Sequence, residues 1–163
     1  MFQKSYLNFI FSLLTILITA GFCSYFNRIG MENFYNSIQK SALTPPNIVF
    51  PIVWGVLYVL LVLAFDIILN STSEHKKSAI GQFLFNMLLQ IIWCWFFFNN
   101  GNFLLGFAVL IILDFATAIL IEQFYKINRS AGWLLLPYML WLLFATYLNW
   151  VVLALNGNNF TLG

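Results

Sequence analysis

Charge is what this chain has least of. Seven basic and five acidic side chains among 163 residues amount to 7% of the sequence, where a soluble domain carries about a quarter. With 62% hydrophobic and 20% aromatic residues, the chain cannot cover itself with a water-facing surface. The net charge of +2 is scattered, without the basic cluster that nucleic acid binding needs. His75, the sole histidine, belongs to a loop and has basic neighbours. It reads as a solvated side chain and leaves no serine or cysteine with a base in plausible reach. No glycine loop of the phosphate-cradling kind occurs. Cys23 and Cys94 fall inside apolar runs with no metal-site spacing and no obvious disulfide role, so they read as small buried hydrophobes and no metal site is expected.

What is abundant is long apolar runs, several reaching the roughly 20 residues that cross a bilayer. They predict an all-α integral membrane bundle, one domain over 1–163, with five helices at about 6–26, 46–69, 79–98, 103–125 and 132–155. The first run exceeds the core of a secretory signal and ends in no small-residue cleavage pattern. Asn27 to Thr44 is the longest polar connection, suited to covering a binding site. Its Phe34-Tyr35 pair is read as an interfacial anchor, with folding over a ligand as the alternative. Asn99-Asn100-Gly101-Asn102 is a tight turn that makes the third and fourth helices antiparallel neighbours. Lys4, Lys76, Lys77, Lys126 and Arg129 fall on one side, Arg28 and Lys40 on the other. That bias predicts a cytoplasmic N-terminus in a bacterial membrane, with a mitochondrial membrane as the alternative.

Three stripes stand out on these helices. Thr44-Pro45-Pro46 reads as a capped helix start, with the helix beginning at Pro45 or Pro46. From there Pro51, Trp54, Gly55 and Tyr58 recur at three- and four-residue steps. Gln90, Trp93, Cys94 and Phe97 share one side of the third helix. Pro137, Tyr138, Trp141, Phe144, Ala145, Leu148 and Asn149 align on the fifth, where Pro137 frees a backbone carbonyl. Such stripes read either as packing faces, Gly55 admitting a neighbouring helix, or as walls of a pocket for a flat apolar ligand. Trp133 and Trp150 suit interfacial anchoring, whereas Trp54, Trp93 and Trp141 lie further in.

Asp114 falls near the middle of the fourth span, where a carboxylate costs on the order of 3 kcal/mol on insertion scales. It is expected to face the bundle interior, either bonded to a neighbouring helix or serving a proton path. Asp66 and Glu122 sit near span ends and reach the interface.

The blocks Thr44-Pro45-Pro46, Pro51 to Tyr58 with Trp54-Gly55 inside, Trp93 with Phe97-Phe98, and Leu136-Pro137-Tyr138 through Trp141 to Leu148-Asn149 resemble the TspO/MBR family. Its members are also called translocator proteins, tryptophan-rich sensory proteins and peripheral-type benzodiazepine receptors. The resemblance covers about Phe34 to Asn149. It implies a five-helix bundle, often a homodimer in the lipid bilayer, with a pocket closed by the first loop that takes porphyrins, haem, sterols or synthetic aromatics. A sensing, regulatory or transport role follows, with no obligatory cofactor. On this resemblance Tyr35, Pro45, Trp54, Tyr58, Gln90, Trp93, Cys94, Trp141, Ala145 and Leu148 are the expected ligand-binding residues. Light- and oxygen-dependent porphyrin breakdown, reported for some bacterial members, would run through Trp54 and Trp141. A sterol- or lipid-binding transporter is a further alternative.

The chain departs from the family pattern in places. Ser41 and Leu43 stand where proline and tryptophan are common, and Phe34 replaces a tryptophan. Gln90 takes the place of an asparagine, and Asp114 lies about a turn deeper than the family's acid. Trp150 and an uncharged tail break the sterol motif attributed to animal members.

Overall fold

In a computed structural model the chain is described over residues 2–158, with side chains from residue 5 onward; Lys4's side chain and the tail beyond 158 lie outside that range. Six helices form: α1 (Phe2–Asn33), α2 (Val49–Leu69), α3 (Lys76–Cys94), α4 (Phe103–Ile127), α5 (Arg129–Leu134) and α6 (Leu136–Asn156). They give five spans long and apolar enough to cross a membrane, with α5 and α6 sharing the last, and no strand among the described residues. This is a multi-pass membrane protein.

Several boundaries differ from the sequence expectation, each for a physical reason. The first helix does not stop at Phe26 but continues to Asn33. Asn27 and Arg28 are polar but not helix-breaking, and Arg28 donates from Nε to Glu32 Oε1 at 2.8 Å one turn on. The first loop is correspondingly shorter, 34–48. The second helix starts at Val49 and not at Pro45 or Pro46, and no side chain caps it. Thr44 therefore does not act as the cap, and Pro51 occupies the first turn, where a missing N–H costs no bond. The last span breaks at Leu135, two residues before Pro137, because proline offers no N–H to continue the ladder.

The bundle is packed solid at one end. Phe65, Phe83 and Phe124 stack through α2, α3 and α4, with Phe65 and Phe83 ring centroids 4.0 Å apart and 12° from parallel. Nearby, Asn8 at the start of α1 donates to Leu69 O at 3.0 Å and Asn70 Oδ1 at 2.9 Å. A polar layer sits between α3 and α4, where the Asn86 amide and the Thr117 hydroxyl lie 2.8 Å apart. Both satisfy each other in surroundings that offer no water.

The opposite end is hollow, and three features shape it. α3 finishes in a π-helical turn, Trp95–Asn99, which carries Phe97 and Phe98. Gly101 then takes φ 58°, turning the chain into α4, and Asn102 accepts from the Leu105 N–H at 2.9 Å as its cap. Against the π turn, α1 approaches so closely at Gly30 that a Cβ there would lie 2.8 Å from the Phe98 carbonyl oxygen. Gly55 has no such role: it is exposed, with open space where its Cβ would be, so the packing-face reading of that position is corrected.

Candidate functional site

The hollow end holds a cavity of about 330 Å³ bounded by α1, α2, α3, α6 and the first loop. That volume lies at the low end of small-molecule sites. Its floor is a hydrogen-bonded set drawn from three helices. Gln90 Nε2 donates to the Tyr58 hydroxyl at 3.0 Å, and the Tyr138 hydroxyl donates to Gln90 Oε1 at 3.1 Å. One amide thus joins α2, α3 and α6, and the longer arm of glutamine reaches both phenols. Gln90 and Tyr138 are fully buried, so both ends of the amide need these partners.

The aromatic walls come from three helices. Trp54 on α2 stands 5.4 Å from Tyr58 and 6.3 Å from Tyr138, centroid to centroid. Trp141 on α6 meets Phe50 at 5.9 Å and Phe144 at 5.6 Å. Trp93 on α3 is buried and donates its indole N–H to Asn149 Oδ1 at 3.3 Å, which ties that ring to α6. Its N–H is therefore engaged by the protein, and its face is what remains for a ligand. The exposed indoles are Trp133 and Trp150, at 61% and 52%, with Trp95 at 41%.

The loop closes the hollow end. Gln39 N–H donates to Asn156 Oδ1 at 2.9 Å, Asn156 Nδ2 donates back to Gln39 O at 2.8 Å, and Ser41 Oγ lies 3.2 Å from the Tyr147 hydroxyl. These bonds fasten the loop to α6. Tyr35 is buried against Phe97 and Phe98 at 6.4 and 5.8 Å and lines the cavity, so the anchoring role expected of it is corrected. Burial pushes its phenol up, which keeps it a neutral hydroxyl. Lys40 holds it from outside the lining, donating to Tyr35 O at 2.7 Å with its ammonium 4.5 Å from the ring centroid.

Of the residues expected at a site, Tyr35, Trp54, Tyr58, Gln90, Trp93, Cys94, Trp141, Ala145 and Leu148 line this cavity, and Pro45 does not. Pro45 lies in the loop beside Thr44 and Asn47, which do line it. Sequence reasoning missed the contribution of α1: Cys23, Ser24, Asn27, Arg28 and Met31. The signal was the Arg28/Glu32 spacing, a helix-stabilising pair that extends α1 past Phe26. Both cysteines are free, buried and on the cavity wall, and the Cys23 thiol donates to the Gln90 carbonyl oxygen at 3.8 Å.

Asp114 lies outside the cavity. It is 7% exposed, faces α6, and accepts from Thr146 Oγ1 at 2.8 Å, while its Oδ1 is buried with no partner among the described residues. Its visible role is a bond between α4 and α6.

Comparison with known proteins is consistent across kingdoms. The chain is 31% identical over 125 residues to the tryptophan-rich protein TspO of Bacillus cereus, covering 77% of this chain and 82% of the relative. It is 31% identical over 151 residues to the tryptophan-rich protein TspO of Archaeoglobus fulgidus, covering 93% and 98%. With the Homo sapiens translocator protein it shares 30% over 122 residues, 73% and 72% of the two chains. The TspO/MBR family model matches residues 11–155. That match runs from the first turns of α1 to the last turn of α6 and takes in every helix that walls the cavity, so the chain belongs to the TspO/MBR family.

Proposed function

We propose that this protein binds a porphyrin-like tetrapyrrole in the cavity beneath the first loop, in a sensing, regulatory or transport role. The observation that carries the reading is that Trp54, Trp93 and Trp141, from three different helices, line one shared cavity. Indole faces stack on a planar macrocycle and exclude water from it. Because the cavity is small for a whole tetrapyrrole, the ligand enters with part of its disc and leaves an edge at the loop side. Titrating protoporphyrin and a sterol side by side into the purified protein, with tryptophan fluorescence as the readout, tests this. Saturable quenching by the porphyrin supports the reading; no quenching overturns it, and sterol binding alone replaces it.

Photochemical breakdown of the bound porphyrin is the second reading, supported by Trp54 and Trp141 both bordering the space a macrocycle would fill. Illumination in air with Trp54→Phe and Trp141→Phe as controls separates it from binding. Porphyrin loss that ignores both substitutions is bleaching. The basic bias of the N-terminal side supports a cytoplasmic N-terminus in a bacterial membrane, and cysteine accessibility from either face checks it.

A further inference from the structure

We propose that the loop-side rim of the cavity is a carboxylate subsite centred on Arg28, which orients the ligand with its acidic edge at the rim and its bare face against the indoles. This rests on the tetrapyrrole reading and specifies how such a ligand is held. Arg28 is the only charged side chain among the residues lining the cavity. No acid lines it among the described residues, so nothing on the wall repels an anion. Asn27, Thr44 and Asn47, from the second half of α1 and the approach to α2, also line the cavity and carry amide and hydroxyl donors. The deeper wall is aromatic and aliphatic apart from the two thiols and amides already committed to partners within the protein. The cavity is thus polar and cationic at one end and apolar at the other, the profile of an amphiphilic acid. Lys40, seated over the Tyr35 ring, adds a second cation beside the same end.

Arg28 is paired with Glu32, but the bond uses Nε alone. The two Nη groups, which form the fork suited to a carboxylate, are not engaged in that bond. Both side chains are largely solvent-exposed, at 80% and 61%, as in an ordinary helix-surface pair. What sets this one apart is that Arg28 borders the cavity and Glu32 does not. Glu32 then acts as a competitor for the guanidinium, which a ligand carboxylate displaces or shares.

Protoporphyrin IX and its dimethyl ester present the same disc with and without the two acids. Each is titrated against the unaltered protein, Arg28→Gln and Glu32→Gln, with fluorescence quenching as readout and thermal unfolding as the fold control. The acid is expected to bind about tenfold tighter than the ester to the unaltered protein. Arg28→Gln is expected to erase that difference by weakening the acid only, and Glu32→Gln to widen it. Equal binding of acid and ester, or a preference that survives in Arg28→Gln, overturns the subsite and leaves the tetrapyrrole reading standing. If neither porphyrin binds, the tetrapyrrole reading falls and the subsite with it.

Discussion

Trp93 and Asn149 are joined across the cavity wall: the indole N–H of α3 meets Asn149 Oδ1 at 3.3 Å, and Asn149 Nδ2 in turn donates to Phe103 O at 2.9 Å. One buried amide therefore ties α3, α6 and the start of α4 together, next to the space left for a ligand. Asn149→Leu leaves the buried indole N–H unsatisfied and removes the second bond to the Phe103 carbonyl, which heads the α4 ladder. A destabilisation of about 1–3 kcal/mol is expected, read as an earlier thermal unfolding transition in detergent. Unchanged unfolding would mean that these bonds are not made in the membrane protein as purified.

The floor gives a second test. Tyr58→Phe and Tyr138→Phe each remove one partner of Gln90, and each is expected to cost about 0.5–2 kcal/mol. Because the two phenols share one amide, the double variant is expected to cost less than the sum of the two. Strict additivity in unfolding measurements would show the phenols to be independent.

Close approach at Gly30 makes a third. With only 2.8 Å between an added Cβ and the Phe98 carbonyl, Gly30→Ala forces α1 away from the π turn. A loss of about 1–3 kcal/mol is expected, with weakened porphyrin quenching, since both segments wall the cavity. Gly55→Ala, at a position open to its surroundings, serves as the silent counterpart.

The loop fastening concerns rates. Asn156→Ala removes both bonds to Gln39 and leaves the Ser41–Tyr147 contact as the remaining hydrogen bond described between the loop and α6. Ligand dissociation is expected to speed up severalfold in stopped-flow quenching, because a lid mainly governs escape. A dissociation rate equal to that of the unaltered protein would show that the loop does not gate the cavity.

Indoles at 54 and 141 set the affinity. Trp54→Ala and Trp141→Ala are each expected to weaken protoporphyrin binding by about tenfold, the scale of one lost aromatic stacking partner. Trp133→Ala, at an exposed position outside the cavity lining, is expected to leave it unchanged.

Five spans, the three tryptophan stripes and nine of the ten expected site residues at one cavity were legible because helical spacing is a local rule: residues three and four apart must share a face. Asp114 was legible as inward-facing because a carboxylate in lipid is costly. What was not legible follows from the limits of the same rule. Polarity at Asn27 and Arg28 suggested an end to α1, yet an amphipathic continuation with one face on a cavity has the same composition. Thr44-Pro45-Pro46 suited a helix start, but the backbone enters α2 only at Val49. Periodicity aligned Gly55 with Trp54 and Tyr58 without saying which edge of that stripe meets another helix.

By itself, the sequence determined the environment and the elements: a chain this poor in charge must place its helices in lipid, and its apolar runs set how many cross. Only the tertiary structure decided which faces meet a void and which meet lipid, and that α1 brings Arg28 to the rim. The physical reason is that lipid is as apolar as a helix core, so hydrophobicity alone does not distinguish inward from outward faces in a membrane. That distinction arises from long-range bonds such as Gln90 to Tyr58 and Tyr138, and from a close approach such as Gly30 to Phe98, none of which a single helix contains.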